Sequence, residues 1–315
     1  MIIMKRYIIP IIIIALSLSC RKELDIKIPN NDRKIVMNTV AIADSNFSAT
    51  IFRSNHVQDK QMDLLYLNNA TVSVYDNGAM LEELKLDSLG VYSSSNAVVQ
   101  EGHDYEVKVS VPNLISVSAK AKVLPEIPII SVDSVGWYEE ENYYYYDYYD
   151  EDEKPNIYTV FEVKFKDIPN EKNYYRLNIN TPLYVDTSRY YDNELDSLII
   201  NVSYRTVSNS SNDQSIEVWS WMDDYYYFSD ILFDGDEYGF SINVMMPEDM
   251  SNIIGELSVT LEHISYEFYV YMKSIDMQSE TQDMELFYQA ASVYNNVENG
   301  FGIFGTANAN KMVVE

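Results

Sequence analysis

The chain has 315 residues, with 22 Lys and Arg against 49 Asp and Glu, so its net charge is −27 at neutral pH. Such a surface repels nucleic acid and anionic lipid headgroups, so both are poor partners and no nucleic acid is expected to bind. A hydrophobic content of 47% and an aromatic content of 13% are those of a folded protein. The single cysteine excludes an internal disulfide.

Residues 1–19 have the pattern of a bacterial signal peptide. Lys5 and Arg6 form a basic start, and residues 8–18 form an apolar stretch. That stretch is shorter than the roughly 20 residues that span a bilayer. Secretion is therefore predicted, without a transmembrane helix in this segment.

Cys20 follows the apolar stretch directly, after the small residue Ser19. This position predicts that Cys20 is the lipid-modified first residue of a mature lipoprotein, carrying a diglyceride and an N-acyl chain such as palmitate. Ser17 departs from the Leu that lipoprotein signals usually carry there. Residues 20–33 are polar and are predicted to form a lipidated tether.

Residues 34–125 alternate apolar and polar side chains with period two, which predicts short half-buried strands. Asn77-Gly78 is a typical hairpin turn. About seven strands in this length predict a β-sandwich of immunoglobulin-like or transthyretin-like type. The clearest predicted strands are 34–42, 47–54, 70–78, 102–111 and 115–123.

Pro125 and Pro128 mark a predicted boundary to a second domain, residues 126–315. This domain is predicted to be an antiparallel β domain, so the whole fold is expected to be mostly β. Its predicted strands are 128–138, 158–167, 173–179, 197–207, 215–221, 238–246 and 255–264. One substantial helix is predicted near residues 264–280 from apolar side chains at helical spacing. These side chains are Ile264, Phe268, Tyr271, Met272 and Ile275.

The segment 139–155 reads EEENYYYYDYYDEDEKP and lies between two predicted adjacent strands. Its eight carboxylates cannot be buried together, so we expect it to face water. We interpret it as a solvated surface insertion. A contact surface is the alternative, because tyrosine combines apolar area with a polar tip. The candidate contact residues are Tyr143, Tyr144, Tyr145, Tyr146, Tyr148 and Tyr149.

Residues that could bind a metal or act in catalysis are scattered along the chain. Three histidines, at 56, 103 and 263, lack the spacing of a metal site. Carboxylate pairs such as Asp234/Asp236 and Asp223/Asp224 could serve a hydrolase, but 49 acidic residues make such pairs common by chance. We therefore predict no catalytic residue, no metal and no cofactor.

The C-terminal stretch YNNVENGFGIFGTAN, residues 294–308, is the most specific string in the chain. It resembles the closing signature of domain of unknown function 4249, a family of Bacteroidota lipoproteins. Other matching strings follow in the expected order, among them LNNATVSVYDNG, NYYRLNI, YYYFSDILFDGDEY and LEHISYEFYVYMKSID. The resemblance implies an outer-membrane lipoprotein that assists a TonB-dependent receptor, and it carries over no catalytic residue.

Three Asp-Ser-apolar triplets resemble the O-glycosylation sites of envelope proteins in the same bacteria. They make Ser88, Ser134 and Ser197 candidate glycosylation sites. Arg21-Lys22-Glu23 after the lipid cysteine partly resembles an export signal to the cell surface, so surface exposure is expected.

The function expected from these observations is a non-enzymatic binding or accessory module of the outer membrane. Its expected partners are the lipid anchor and a TonB-dependent receptor in nutrient capture, and the ligand is not specified. Two alternatives are a structural or adhesive surface lipoprotein and a surface hydrolase.

Overall fold

The computed structural model describes residues 33–56, 65–140, 155–192, 197–219, 225–246, 253–282 and 292–314. Only the backbone is described at residues 184–192, 197–201, 203–205, 219 and 280–282. Residues 33–315 form one compact unit. The fold is mostly β, as predicted, with one α-helix in the described part. Within those residues no helix is both long and apolar enough to cross a membrane.

Eight strands occupy the first part of the described chain. They are β1 (Ile35–Ile42), β2 (Asn46–Arg53), β3 (Leu65–Tyr66), β4 (Thr71–Asp76), β5 (Ala79–Ser88), β6 (Val91–Val98), β7 (Asp104–Ser110) and β8 (Val117–Lys122). Asn77 and Gly78 both have positive φ and connect β4 to β5, which confirms the predicted hairpin turn.

Twelve further strands and the helix α1 (Tyr266–Gln282) follow, with a short 3-10 helix at Asp230–Leu232. The strands are β9 (Ile129–Glu140), β10 (Asn156–Lys166), β11 (Tyr174–Asn180), β12 (Leu183–Asp192), β13 (Ser197–Thr206), β14 (Asn209–Ser210), β15 (Ile216–Trp219), β16 (Tyr225–Ser229), β17 (Glu237–Met246), β18 (Ile253–Ile254), β19 (Ser258–Ile264) and β20 (Phe301–Val313).

One 13-stranded sheet runs through most of the molecule, in the order β15-β16-β11-β19-β20-β1-β2-β6-β5-β4-β7-β8, with β3 paired to β2. The alternating side chains of its N-terminal strands enclose a first core. Tyr105, Val107 and Val109 of β7 are buried in it, as their period-two spacing predicts.

A second core lies between a four-stranded sheet, β14-β17-β10-β9, and the β16-β11-β19 part of the large sheet. Phe161, Val163 and Phe165 of β10 face it. The buried residues change from the first core to the second between Val123 and Ile127. Whether residues 34–125 and 126–315 fold as separate domains stays a prediction.

Helix α1 packs on the opposite face of the large sheet and encloses a third core with Phe268 and Tyr269. It begins at Tyr266, two residues later than predicted, because Ile264 belongs to β19. Ser265 separates the two elements: its Oγ accepts a hydrogen bond from the Phe268 N–H at 3.4 Å. The expected placement of Ile264 on the helix was therefore wrong.

Strand β20 connects all three cores. It pairs parallel to β1 and antiparallel to β19. Phe304 lies in the first core, Ala307 in the third, and Met312 packs against the second. Residues 301–308 of the specific C-terminal stretch thus form the first part of β20. Through β20 the C-terminal end of the described chain pairs with β1 at its N-terminal end.

Candidate binding surfaces

An exposed aromatic surface lies at the outer end of the four-stranded sheet. We call residues 135–140 of β9 and 156–158 of β10 the aromatic edge. Trp137 is 69% exposed and Val135 is 56% exposed. Large apolar side chains that cluster in water are a common mark of an interaction site.

The geometry of the aromatic edge follows from the strand register. Tyr138 lies opposite Tyr158, and their rings stack with centroids 5.1 Å apart. Trp137 lies opposite Thr159 and points to the other face. Val135 is the extra residue of a β-bulge between Ser134 and Gly136. Both faces of this end therefore present apolar area.

Strand β9 is also an edge strand among the described elements, because it pairs with β10 alone. At the start of this twelve-residue strand, the Ile129 N–H donates to Asn310 Oδ1 at 2.9 Å. Farther along, an edge strand presents backbone donors and acceptors without strand partners on one side. Such an edge can accept an extended segment of another chain as an added strand.

An apolar cavity of about 560 Å³ lies near this sheet. Residues of β10, β17, β18 and β20 form it together with three connecting segments. The lining residues are Phe161, Pro182, Val207, Val244, Met246, Ile253, Gly255, Glu256, Leu257, Val313 and Val314. Its volume lies in the range of about 300–1,000 Å³ that is usual for small-molecule sites.

The cavity wall and the aromatic edge share one face of the sheet. Val244 of the wall lies opposite Thr159, which lies opposite Trp137. At about 4.8 Å per strand, Trp137 lies roughly 10 Å from Val244 along the sheet. Met246 of the wall lies opposite the exposed Ile157. Trp137 and Ile157 of the aromatic edge thus lie on the same sheet face as Val244 and Met246 of the cavity wall.

A polar groove of about 430 Å³ borders the other side of the aromatic edge and includes Tyr138. Asp213 organises its wall: its carboxylate accepts hydrogen bonds from the Tyr238 hydroxyl at 2.7 Å and from the Ser215 N–H at 2.9 Å. Burial and this carboxylate raise the pKa of Tyr238 to about 12. The groove is therefore a fixed polar surface, with Tyr238 protonated at neutral pH.

Three carboxylates, those of Asp167, Asp230 and Asp234, lie within 4.8 Å of one another. Each accepts protein donors: Asp167 takes the Gly235 N–H at 2.7 Å, Asp230 the Asn173 N–H at 2.8 Å, and Asp234 the Asn170 N–H at 2.9 Å. Burial raises the pKa of Asp230. The cluster holds the turn at residues 233–236 against the loop before β11.

Of the three histidines, His56 and His103 lie in connecting segments and His263 lies in β19. His103 contacts the Asp76 carboxylate at 2.9 Å. His263 is 2% exposed, and its Nδ1 donates to the Pro125 carbonyl at 2.9 Å. Burial of the imidazole lowers the pKa of His263, and the Pro125 hydrogen bond opposes that shift. Among the residues that the structure describes, no group forms a hydrogen bond with its Nε2.

Most residues singled out from the sequence remain predictions. Cys20 and the six tyrosines of the insertion lie outside the described residues, as do Asp223 and Asp224. Glu140 and Asn156, on either side of the insertion, lie opposite each other on adjacent antiparallel strands. Ser88 and Ser134 are exposed, and only the backbone of Ser197 is described.

The family model described as Domain of unknown function (DUF4249) matches residues 21–312, so the chain belongs to that family. No curated protein and no solved structure matches the chain.

Sequence reasoning missed the cavity and the exposure of the aromatic edge. Trp137 and Tyr138 stood in a predicted strand, but alternation alone predicts that one of them is buried. A detectable signal was the apolar density at the end of β9, where Val135, Trp137 and Tyr138 occur within four residues.

Proposed function

We propose that this chain is an outer-membrane lipoprotein and acts as a non-enzymatic accessory module of a TonB-dependent receptor in nutrient capture. The signal-like residues 1–19 and Cys20 support the anchor. The aromatic edge is the observation that carries the binding role. An adhesive or structural surface lipoprotein without a transport partner is the competing function.

The aromatic edge suits a protein partner for energetic reasons. Covering apolar surface stabilises a complex by about 25 cal/mol per Å², and Trp and Tyr dominate the energetic centres of interfaces. Trp137 and the stacked Tyr138–Tyr158 pair supply such a centre. The unpaired backbone of β9 adds hydrogen-bonding groups that an extended partner segment would satisfy.

The charge of β9 indicates the kind of partner. Asp133, Glu139 and Glu140 lie on this strand, and the chain is strongly acidic overall. A second copy paired to β9 would place one acidic strand beside another, which is unfavourable. The partner segment is therefore an extended, basic stretch of a different protein, and salt weakens its attraction.

Photo-crosslinking in cells tests this contact. A photoreactive amino acid replaces Trp137 in one variant and the 78% exposed Ile231 in a matched control variant. We expect the Trp137 position to cross-link to a TonB-dependent receptor and the Ile231 position not to. Equal cross-linking at both positions, or cross-linking only to other envelope proteins, would overturn the proposal.

Anchoring is tested separately by Cys20→Ala. We expect the variant to accumulate as an uncleaved or soluble precursor that no longer fractionates with the outer membrane. Unchanged membrane retention of the Ala variant would contradict the lipoprotein assignment.

A further inference from the structure

We infer that the apolar cavity beside β10 and β17 binds a small amphipathic molecule whose body is apolar and whose polar end is cationic or donates hydrogen bonds. This inference rests on the proposed function, since it names the class of ligand that the accessory module would hold.

The lining of the cavity determines the body of the ligand. Nine of the eleven lining residues are Phe, Pro, Val, Met, Ile or Leu, and the other two are Gly255 and Glu256. Water gains few hydrogen bonds in such a space, so an apolar group that displaces it is favoured. At about 560 Å³ the cavity is large enough for a molecule of drug-like size.

The cavity is held open by backbone bonds between its walls, so it does not depend on side chains alone. The Val207 N–H donates to the Pro182 carbonyl at 3.2 Å, and the Val314 N–H donates to the Leu257 carbonyl at 2.9 Å. Phe161 and Val244, nearly fully buried, belong to the second core that supports the sheet face. A preformed site binds without a large ordering cost.

Glu256 determines the polar end of the ligand. Among the lining residues that the structure describes, it alone carries a charge, and it is exposed. A carboxylate beside an apolar space attracts a cation or a hydrogen-bond donor and repels an anionic headgroup. The net charge of −27 also favours a ligand with a cationic polar end over one with an anionic polar end.

The position of the cavity supports a role in capture. Its wall is followed on the same sheet face by Ile157, Thr159 and Trp137, so the ligand site lies on the Trp137 side of the aromatic edge. A ligand held in the cavity thus lies close to the surface that we assign to the receptor.

Three naphthyl-type fluorescent probes with neutral, cationic and anionic polar ends test the inference. The full lipidated protein is placed in lipid nanodiscs, and the same titration of nanodiscs without protein provides the lipid background. Ile253→Trp and Val314→Trp fill the cavity from two different walls. Ile231→Trp is the control, since Ile231 is exposed and does not line the cavity. Thermal melting verifies that each variant is folded.

We expect saturable binding of the neutral and cationic probes, and a loss of roughly tenfold or more in affinity in each folded cavity-filled variant. The control variant should bind as the original protein does. Glu256→Gln should reduce the preference for the cationic over the anionic probe by roughly two- to fivefold, as expected for one exposed charge.

Two results would overturn the inference: no saturable binding by the original protein, or binding that both folded filled variants retain. Tighter binding of the anionic probe would overturn the assigned polar end. These results are independent of receptor cross-linking at Trp137. Failure of the ligand inference and failure of the proposed function are therefore distinguishable.

Discussion

At the scale of single residues, two glycines explain why the C-terminal signature is so specific. Gly302 has φ +113°, and a Cβ there would lie 2.1 Å from the Met37 carbonyl oxygen of the neighbouring strand. At Gly305 a Cβ would lie 2.6 Å from the Cβ of Phe268. These glycines allow β20 to approach β1 on one side and α1 on the other.

Gly305→Ala should therefore destabilise the fold by about 1–3 kcal/mol, because the helix backbone near Phe268 must shift to admit the methyl group. Gly136→Ala is the matched control, since an added Cβ there meets no atom within 4 Å. Chemical denaturation of both variants measures the difference. Equal stability of the two variants would show that α1 does not pack closely on β20.

His263 predicts a pH dependence of stability. Its pKa in the folded state is lowered by burial, so the unfolded chain binds a proton at this position first as the pH falls. The contribution of neutral His263 to the stability of the fold is present above the pKa of about 6.5 that a histidine has in the unfolded chain. It is lost as the pH falls through the lower pKa that His263 has in the folded protein. Denaturation curves between pH 8 and pH 5 should show this loss.

His263→Gln is the matched variant, because an amide can still donate to the Pro125 carbonyl. It cannot take up a proton, so the loss of stability in the acidic range should be smaller than in the original protein. An identical pH profile for the two proteins would exclude His263 as the cause.

At the scale of elements, a buried ion pair joins β11, β19 and α1. The Arg176 guanidinium donates to both carboxylate oxygens of Glu262, with Nη2 to Oε1 at 2.7 Å. The guanidinium also lies over the rings of Tyr225 and Phe268. Burial alone would lower the pKa of Arg176, but the hydrogen bonds and charge of Glu262 outweigh it and raise the pKa.

Glu262→Gln should cost about 3–5 kcal/mol of stability, because it leaves the buried Arg176 without a counter-charge. Replacing both residues, by Arg176→Met together with Glu262→Leu, should cost less than the single change. A double-mutant cycle by denaturant unfolding measures the coupling. Additive costs would mean that the two side chains act independently.

The insertion between β9 and β10 leads to a second element-scale prediction. Deletion of residues 141–154, with a short Gly/Ser bridge from Glu140 to Pro155, should change the free energy of unfolding by less than about 1 kcal/mol. Glu140 and Asn156 already lie opposite each other, so a tight turn can join them. Thermal melting measures the effect, and a large drop would show that the tyrosines belong to a core.

The same deletion variant separates the two readings of the tyrosines. Unchanged recovery of partners in a pull-down would support the solvated loop, which we expect. Reduced recovery with an unchanged melt would assign the tyrosines to a contact surface.

Alternation and turn residues in the sequence were sufficient to predict strands such as β7 and β10, because their inward side chains follow period two. Strand β5 was not predicted, since Leu, Glu and Lys in residues 79–88 have no strand preference of their own. Strand β20 was missed because its glycines break the pattern, and its parallel partner β1 lies more than 250 residues away.

At the scale of the whole molecule, the binding surfaces form only when segments that are distant in the sequence come together in the fold. The cavity combines residues from position 161 to position 314, so no local pattern predicts it. The aromatic edge is exposed because the second core ends near Phe161, while β9 and β10 continue beyond it. Local sequence patterns were sufficient to predict the fold class. The positions of the cavity and the aromatic edge depend on which residues the folded cores leave uncovered.

The most direct test of the account is an affinity pull-down of the native lipoprotein from mildly solubilised outer membrane, followed by mass spectrometry. The original protein should recover a TonB-dependent receptor, and Trp137→Ser should recover much less of it while Ile231→Ser behaves as the original does. Recovery of no such receptor, or equal recovery with Trp137→Ser, would contradict an accessory role exercised through the aromatic edge.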